Sequence, residues 1–379
     1  MSILNKIASA AAWGLSGLLP IKKNKIVFCS FYGKGYSDHC KAITDVLLKS
    51  GKKLDIVWLV RPGQEASLPA GVRAVNYNSA RRIRELCTAK CWVDNCRKGA
   101  LKKRKKQYYM QVWHGLALKR IEKDAATKLD DDYTPYAIRD SKQIDVIISN
   151  CTHMTKVYQS SFWYDGPVEE FGSPRNDILF TPSAPIREKV HTAFSLSQDR
   201  RLVLYGPTFR ADHSLDAYKL DTELLRESLS ERFGGEWSVL VRMHPAVEAL
   251  SGQVFSYDGD TVCNATAYPD IMELLAACDC TITDYSSLMF DFALTERPCF
   301  QFATDLQAYM ADRNFYFSLT ELPFPRAESN EALAENIRSF REEDRRERWE
   351  RFNRDFGLKE DGKAAERCAA LLLKQLSDK

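Results

Sequence analysis

Two histidines of this 379-residue chain stand in the same local setting. His114 closes the apolar run 108–112 in Trp113-His114-Gly115, and His244 closes the run 237–242 in Met243-His244-Pro245. Each marks a strand-type segment meeting a tight turn, one in each half of the chain. An imidazole near its ordinary pKa serves as a general base, a role worth about 10²–10⁴ in rate. Arg175, Arg210 and Arg242 hold comparable turn positions, and a guanidinium pairs with phosphate oxygens through two hydrogen bonds. Residues 281–298, TITDYSSLMFDFALTERP, read as strand, polar turn, helix. At such a turn Ser286 and Ser287 either cap the helix or hold phosphate oxygens beside its unpaired N–H groups. Asp291, four residues after Ser287, shares its helix face. There it accepts hydrogen bonds from ribose hydroxyls or is a solvated residue. The whole set points to a phosphate-rich substrate.

Strands must carry these turns, and the pattern supplies them. Strand-type runs at 25–31, 54–60, 72–76, 91–93, 108–112, 144–149 and 168–171 alternate with helical stretches at 40–49, 79–88 and 152–162. Lys119, Arg120 and Lys123 fall on a further expected helix. The pattern restarts with strands at 202–205, 237–242, 280–283 and 299–302 and helices at 221–233, 268–277 and 288–294. Alternation of this kind predicts α/β units with mainly parallel sheets. Ligands bind beyond the carboxyl ends of such strands, so two sheets facing one another would place both histidines in one cleft. The expected division is a helix over 1–20, domains over 21–182 and 183–340 meeting at the linker 181–185, and helices over 341–379. There is no G-x-x-x-x-G-K-[ST] loop and no G-x-G-x-x-G after a strand.

Composition narrows the class. Hydrophobic content of 45% supports real cores, and a net charge of only +3 gives no general attraction to nucleic acid. The eleven cysteines lack C-x-x-C pairs and read as reduced core thiols of a cytosolic protein. No metal set is expected, since nothing completes a ligand shell around Asp130-Asp131-Asp132. Ile3, Leu4, Ile7, Ala8, Ala11, Leu15 and Leu18 recur at helical spacing ahead of Lys22, Lys23 and Lys25. That stretch is too short to span a bilayer and reads as an amphipathic helix lying on a membrane, or one packed on its own domain. The basic run Lys98, Lys102 to Lys106 is a solvated loop or a surface for a polyanionic acceptor or anionic lipid.

Five motifs occur in order: Trp113-His114-Gly115, Gly172-Ser173-Pro174-Arg175-Asn176-Asp177, Gly206-Pro207-Thr208-Phe209-Arg210, Arg242-Met243-His244-Pro245, and Thr283-Asp284-Tyr285-Ser286-Ser287-Leu288-Met289-Phe290-Asp291. Together they resemble the CDP-glycerol glycerophosphotransferase family, which builds teichoic acids and related capsule polymers. Asp361-Gly362-Lys363-Ala364 with Arg367 resembles its C-terminal signature.

The resemblance implies two Rossmann-like domains around a cleft, the GT-B arrangement. It implies transfer of glycerol phosphate from CDP-glycerol to the hydroxyl of a lipid-linked saccharide or polyol-phosphate acceptor, with release of CMP and no cofactor. By that match His114 is the base and His244 contacts the donor pyrophosphate. Ser286 and Ser287 match phosphate ligands, and Asp291 a nucleotide contact. Gly115, Leu116, Ala117, Leu118, Arg175, Pro207, Thr208, Arg242 and Met243 fall in donor-lining segments, with Lys119, Arg210 and Asp284 beside them. Peripheral residence on the cytoplasmic membrane face is implied too. Two departures matter. Leu116-Ala117-Leu118-Lys119 replaces the common Thr-Pro-Leu-Lys, so CDP-ribitol or another CDP-alcohol is open as donor. His39-Cys40 replaces the common Asn-Pro after Asp38, in a segment of acceptor contacts. A nucleotide-sugar glycosyltransferase of the same architecture is the competing reading, and a product glycoside instead of a phosphodiester distinguishes it.

Overall fold

The computed structural model describes residues 13–14, 16–98, 101–210, 215–312 and 314–377. The chain forms two compact units. The first holds residues up to Gly115, Ile121–Asp177 and Gly357–Lys379; the second holds Leu116–Arg120 and Ile178–Phe356. The units part at Asp177, ahead of the expected linker 181–185. Ser183 and Pro185 there do helical work instead: Ser183 is the cap residue and Pro185 lies in the first turn of the helix Ala184–Ala193, where a missing N–H costs nothing.

The first unit carries a parallel sheet of seven strands: β1 (Lys22–Cys29), β2 (Asp55–Val60), β3 (Val72–Asn76), β4 (Ala89–Asp94), β5 (Tyr108–Gln111), β6 (Val146–Ile148) and β7 (Val168–Glu169). Their order is β3-β2-β1-β4-β5-β6-β7. The second unit repeats the plan with β8 (Arg201–Tyr205), β9 (Trp237–Val241), β10 (Val262–Asn264), β11 (Cys280–Thr283), β12 (Cys299–Phe302) and β13 (Arg326–Ala327), ordered β10-β9-β8-β11-β12-β13. Both are the doubly wound order of Rossmann sheets, with strand order reversing between β1 and β4 and between β8 and β11. Such strands are covered on both faces, which is why β2, β8 and β9 read as near-continuous apolar runs.

Helices close the faces. In the first unit Cys40, Ile43 and Leu47 of the helix Asp38–Lys49 and Cys368, Ala369 and Leu372 of the C-terminal helix Ala364–Ser377 pack with Ile26, Phe28, Ile56 and Trp58. In the second, Leu225 and Leu229 of the helix Thr222–Phe233 and Leu333 and Ile337 of the helix Asn330–Arg338 cover Val203, Val239 and Phe300. Each such side chain, fully buried, contributes about 1.5–3 kcal/mol. Asp221 accepts from the amides of Glu223 and Leu224 and so starts its helix.

Two sequence expectations change here. Lys119 and Arg120 are extended rather than helical, because this segment pairs antiparallel with 314–316: Lys119 bridges Phe315 and the Arg120 amide donates to the Asn314 carbonyl (2.8 Å). The basic run is only partly solvated. Lys98 is buried on Asp94 (2.7 Å), Lys103 pairs with Asp145, and Arg104 donates to the carbonyls of Leu19 and Cys87. Only Lys102, Lys105 and Lys106 of that stretch are exposed. All eleven cysteines are buried free thiols. The amphipathic helix over 1–20 falls mostly outside the described residues. Its end is packed: Trp13 meets Trp92 edge to face at 6.3 Å. Among the described residues no helix is long and apolar enough to cross a membrane.

Candidate active site

In the first unit the turn after β5 is held from beneath. Gln111 Oε1 accepts from the Trp113 amide (2.9 Å), and its Nε2 donates to the Cys96 carbonyl (2.9 Å). Trp113, at φ +46°, stacks on His114 (4.3 Å between rings) and meets Phe162 edge-on. The imidazole is therefore fixed and half-buried. Gly115 follows at φ +108°, and a Cβ there would run into the Arg175 guanidinium. Arg175 Nη1 pairs with Asp38 Oδ2 (2.8 Å), while Asp38 Oδ1 accepts from Asn95 Nδ2 (3.1 Å). The Arg175 amide donates to His39 Nδ1 (3.2 Å). Phe31, Tyr32, Asp38 and Trp113 all have positive φ, and such strain gathers at functional sites.

The electrostatics follow from this packing. The His114 pKa is lowered to about 4, chiefly by burial; Asp38 opposes and Arg175 adds to the fall, so the ring is neutral near pH 7 with a lone pair available. Burial also lowers His39, to about 3. Burial alone would raise the Asp38 carboxyl, yet His39 and Arg175 hold it below the usual carboxylate range. His39 is thus a neutral acceptor for the Arg175 backbone, at the start of the helix Asp38–Lys49. Gly115→Ala combines a left-handed backbone with a clash on Arg175. We expect a loss of about 10²-fold in turnover, the scale of an ångström-size misplacement, with about 1–3 kcal/mol of stability. Steady-state kinetics and thermal unfolding of the variant check both.

In the second unit the sites lie at the β8/β11 switch point. Gly206 leaves β8 so close to the helix after β11 that a Cβ would lie 3.0 Å from Leu288 Cδ2. Asp284, at the end of β11, accepts from the Thr208 amide (2.8 and 3.0 Å) and pairs with Arg210 Nη2 (2.8 Å). Arg210 also meets Asp305 (Nε to Oδ2, 2.6 Å), under the stacked rings of Tyr285 and Tyr309. Burial works against its charge, but Asp305 and Asp284 raise its pKa above the usual value. Arg210 and Asp284 are therefore internal braces of the turn, not free phosphate ligands. Arg242 is engaged likewise, donating from Nη1 to the carbonyls of Ala265 (3.0 Å) and Tyr268 (2.6 Å). Met243 is buried with its amide on Thr266 Oγ1. Lys119 sits over the Tyr309 ring at 5.0 Å, and Leu116 and Leu118 are buried, Ala117 half-buried.

Three hydroxyls at this switch point have little or no hydrogen bonding among the described residues. Ser286 Oγ receives only the Leu288 amide, at 3.4 Å, and Ser287 makes no side-chain cap. Thr208 Oγ1, beside Pro207, is buried with no hydrogen-bond partner among the described residues. His244 is exposed, its ring 4.9 Å from Phe209. The helix Leu288–Ala293 has six residues, so its dipole is smaller than the sequence pattern suggests and the hydroxyls matter more. Asp291 is buried one turn in, not on a solvated face. Sequence reading thus picks out His114, Gly115 and Arg175, which stand together in the first unit, and Pro207, Thr208, His244, Ser286 and Ser287, which follow the adjacent strands β8, β9 and β11 in the second. It misses Asp38, Asn95, Asp305 and Gln301, whose Nε2 donates to the Asp284 carbonyl (2.8 Å). Their partners lie 17 to 137 residues away in sequence, so no local pattern marks them.

The fold is shared with known proteins. The chain is 30% identical over 376 residues to the teichoic acid poly(glycerol phosphate) polymerase of Staphylococcus epidermidis, covering 94% of this chain and 52% of that one. It thus spans about half of that relative's length. It is 30% identical to the teichoic acid glycerol-phosphate transferase of Staphylococcus aureus, over 93% of both chains. It superposes on the wall teichoic acid polymerase TagF with a TM-score of 0.85 at 28% identity, over 99% of this chain and 95% of that one; a histidine variant of TagF has been soaked with CDPG. Residues 13–374 match the family model described as CDP-glycerol:poly(glycerophosphate) glycerophosphotransferase, and the chain belongs to that family.

Proposed function

We propose that this enzyme transfers glycerol phosphate, or a related polyol phosphate, from a CDP-activated donor to a hydroxyl of a lipid-linked acceptor or growing polymer, releasing CMP. The observation that carries the reading is the set of little-engaged hydroxyls at the β8/β11 switch point, those of Ser286, Ser287 and Thr208; exposed His244 stands at the neighbouring strand end. In a Rossmann sheet this crevice is where a nucleotide diphosphate is expected. Asp291 takes the ribose hydroxyls in this reading.

The acceptor oxygen attacks the phosphorus bearing the polyol. The new P–O bond forms as the bond to the bridging oxygen breaks, and that electron pair leaves with CMP. The acceptor proton passes to neutral His114. His244 and the serine hydroxyls stabilise charge on the departing phosphate, as preorganised donors do in other transfers. Membrane association through residues 1–20, on the cytoplasmic face, belongs to the same proposal. The test is the product: ³¹P NMR should show a phosphodiester linkage, and a glycoside without phosphorus would move the enzyme to sugar transfer.

This role also fixes a pH dependence. The active imidazole is unprotonated, so kcat/KM should be flat across neutral pH and fall only as pH drops through about 4. A bound donor adds negative charge beside the ring and favours its protonated form, so the acid limb of kcat should lie at higher pH than that of kcat/KM. A limb of kcat/KM at the ordinary histidine value would contradict the buried setting of His114.

A further inference from the structure

The C-terminal signature Asp361-Gly362-Lys363-Ala364 with Arg367 has no part in the chemistry above, yet it lies against the loop that carries Arg175. Cys151 and Leu358 form an antiparallel bridge, and the Lys359 amide donates to the Asn150 carbonyl (2.9 Å). This pairing delivers Glu360 to the loop. Glu360 Oε2 accepts from the Ser173 amide (3.0 Å), and Oε1 accepts from Asn176 Nδ2 (3.1 Å) and Asn150 Nδ2 (3.4 Å). Asp177 takes the amides of Ala364 (3.1 Å) and Ala365 (2.7 Å) at the start of the C-terminal helix. Arg367 donates to the Phe171 carbonyl (3.0 Å) and pairs with Asp361. Gly172, at φ +91°, passes so near this segment that a Cβ would lie 2.9 Å from the Lys359 carbonyl oxygen.

Residues 171–177 are therefore gripped along their length, and Arg175 is the one loop side chain aimed at Asp38 and Gly115. The far side of the contact is braced by the same helix. Cys368, Ala369 and Leu372 pack against Cys40, Ile43 and Leu47, on the helix that begins at Asp38. Both members of the Asp38–Arg175 pair thus rest on residues 357–379.

We propose that Glu360 is a positioning residue: it fixes the 172–176 loop so that the Arg175 guanidinium stays over Gly115, next to His114. A side chain held this way keeps its geometry without reorganising during turnover. The inference rests on the transferase reading for its kinetic consequence, but its structural part is independent of it.

The test is a double-mutant cycle on the full-length protein, read by CMP release from a CDP-polyol. Glu360→Ala should lower kcat about 10²-fold with a smaller change in donor KM. Glu360→Gln keeps one acceptor oxygen and should recover much of that loss. In an Arg175→Ala background, Glu360→Ala should cost no more than about twofold further, because both variants remove one arrangement. Fully additive losses would overturn the proposal, since Glu360 would then act on general stability alone. Hydrogen exchange separates failure of the clamp from failure of the reaction assignment. In Glu360→Ala the Ser173 and Asn176 amides should exchange faster while β8 and β9 keep their protection. Unchanged exchange at Ser173 and Asn176 would overturn the clamp whether or not the wild type releases CMP.

Discussion

Replacing His114 with alanine should lower CMP release by about 10²–10⁴-fold, the usual worth of a general base, while leaving CDP binding largely intact. The reason is local. His114 is oriented by the Trp113 stack and kept neutral by burial and Arg175, whereas the groups assigned to the nucleotide belong to β8, β9 and β11 in the other unit. Calorimetric titration with CDP, beside single-turnover CMP release, separates the two effects. Loss of CDP binding in a variant with a native circular-dichroism spectrum would show that His114 holds the nucleotide rather than the acceptor proton.

The largest effect on stability should come from Asp284→Ala. Its carboxylate receives the amides of Thr208 and Tyr285 and one arm of Arg210, at 1% exposure. Removal leaves two amides unsatisfied and a buried guanidinium with Asp305 as its remaining carboxylate. Breaking one partner of a buried pair typically costs about 3–5 kcal/mol, and the orphaned amides add to that. Urea unfolding should show the loss, and donor KM should rise as the Thr208 turn relaxes. Asp284→Asn retains an acceptor for one amide and should sit between the two. A neutral Asp284→Ala would mean that Arg210 and Asp305 carry the turn unaided.

How far the sequence leads follows from the range of the forces involved. Parallel strands buried on both faces print apolar runs, so β11 and β12 are legible to the residue, and the turns after β5, β8, β9 and β11 locate the histidines and serines. The roles of the arginines are not legible in that way. Arg210 and Arg242 look like phosphate ligands by type and place, but they are consumed by Asp284, Asp305 and backbone carbonyls that only the folded sheet brings near. Asp38 is similar: its partner Arg175 lies 137 residues on. Lys119 falls on an expected helix, but pairing with 314–316 overrides that local preference. The return of residues 357–379 to the first unit leaves no trace in periodicity, because the last helix shows only one apolar stripe whatever it covers.

The central claim is that a CDP-alcohol is the donor. Its most direct test is CMP or UMP/UDP release by the purified protein on membranes, with CDP-glycerol, CDP-ribitol and a UDP-sugar offered separately. At least one CDP-alcohol should yield CMP, with that release lost in His114→Ala, and the sugar nucleotide should yield nothing. UDP from the sugar nucleotide, with no CMP from either CDP-alcohol, would contradict it.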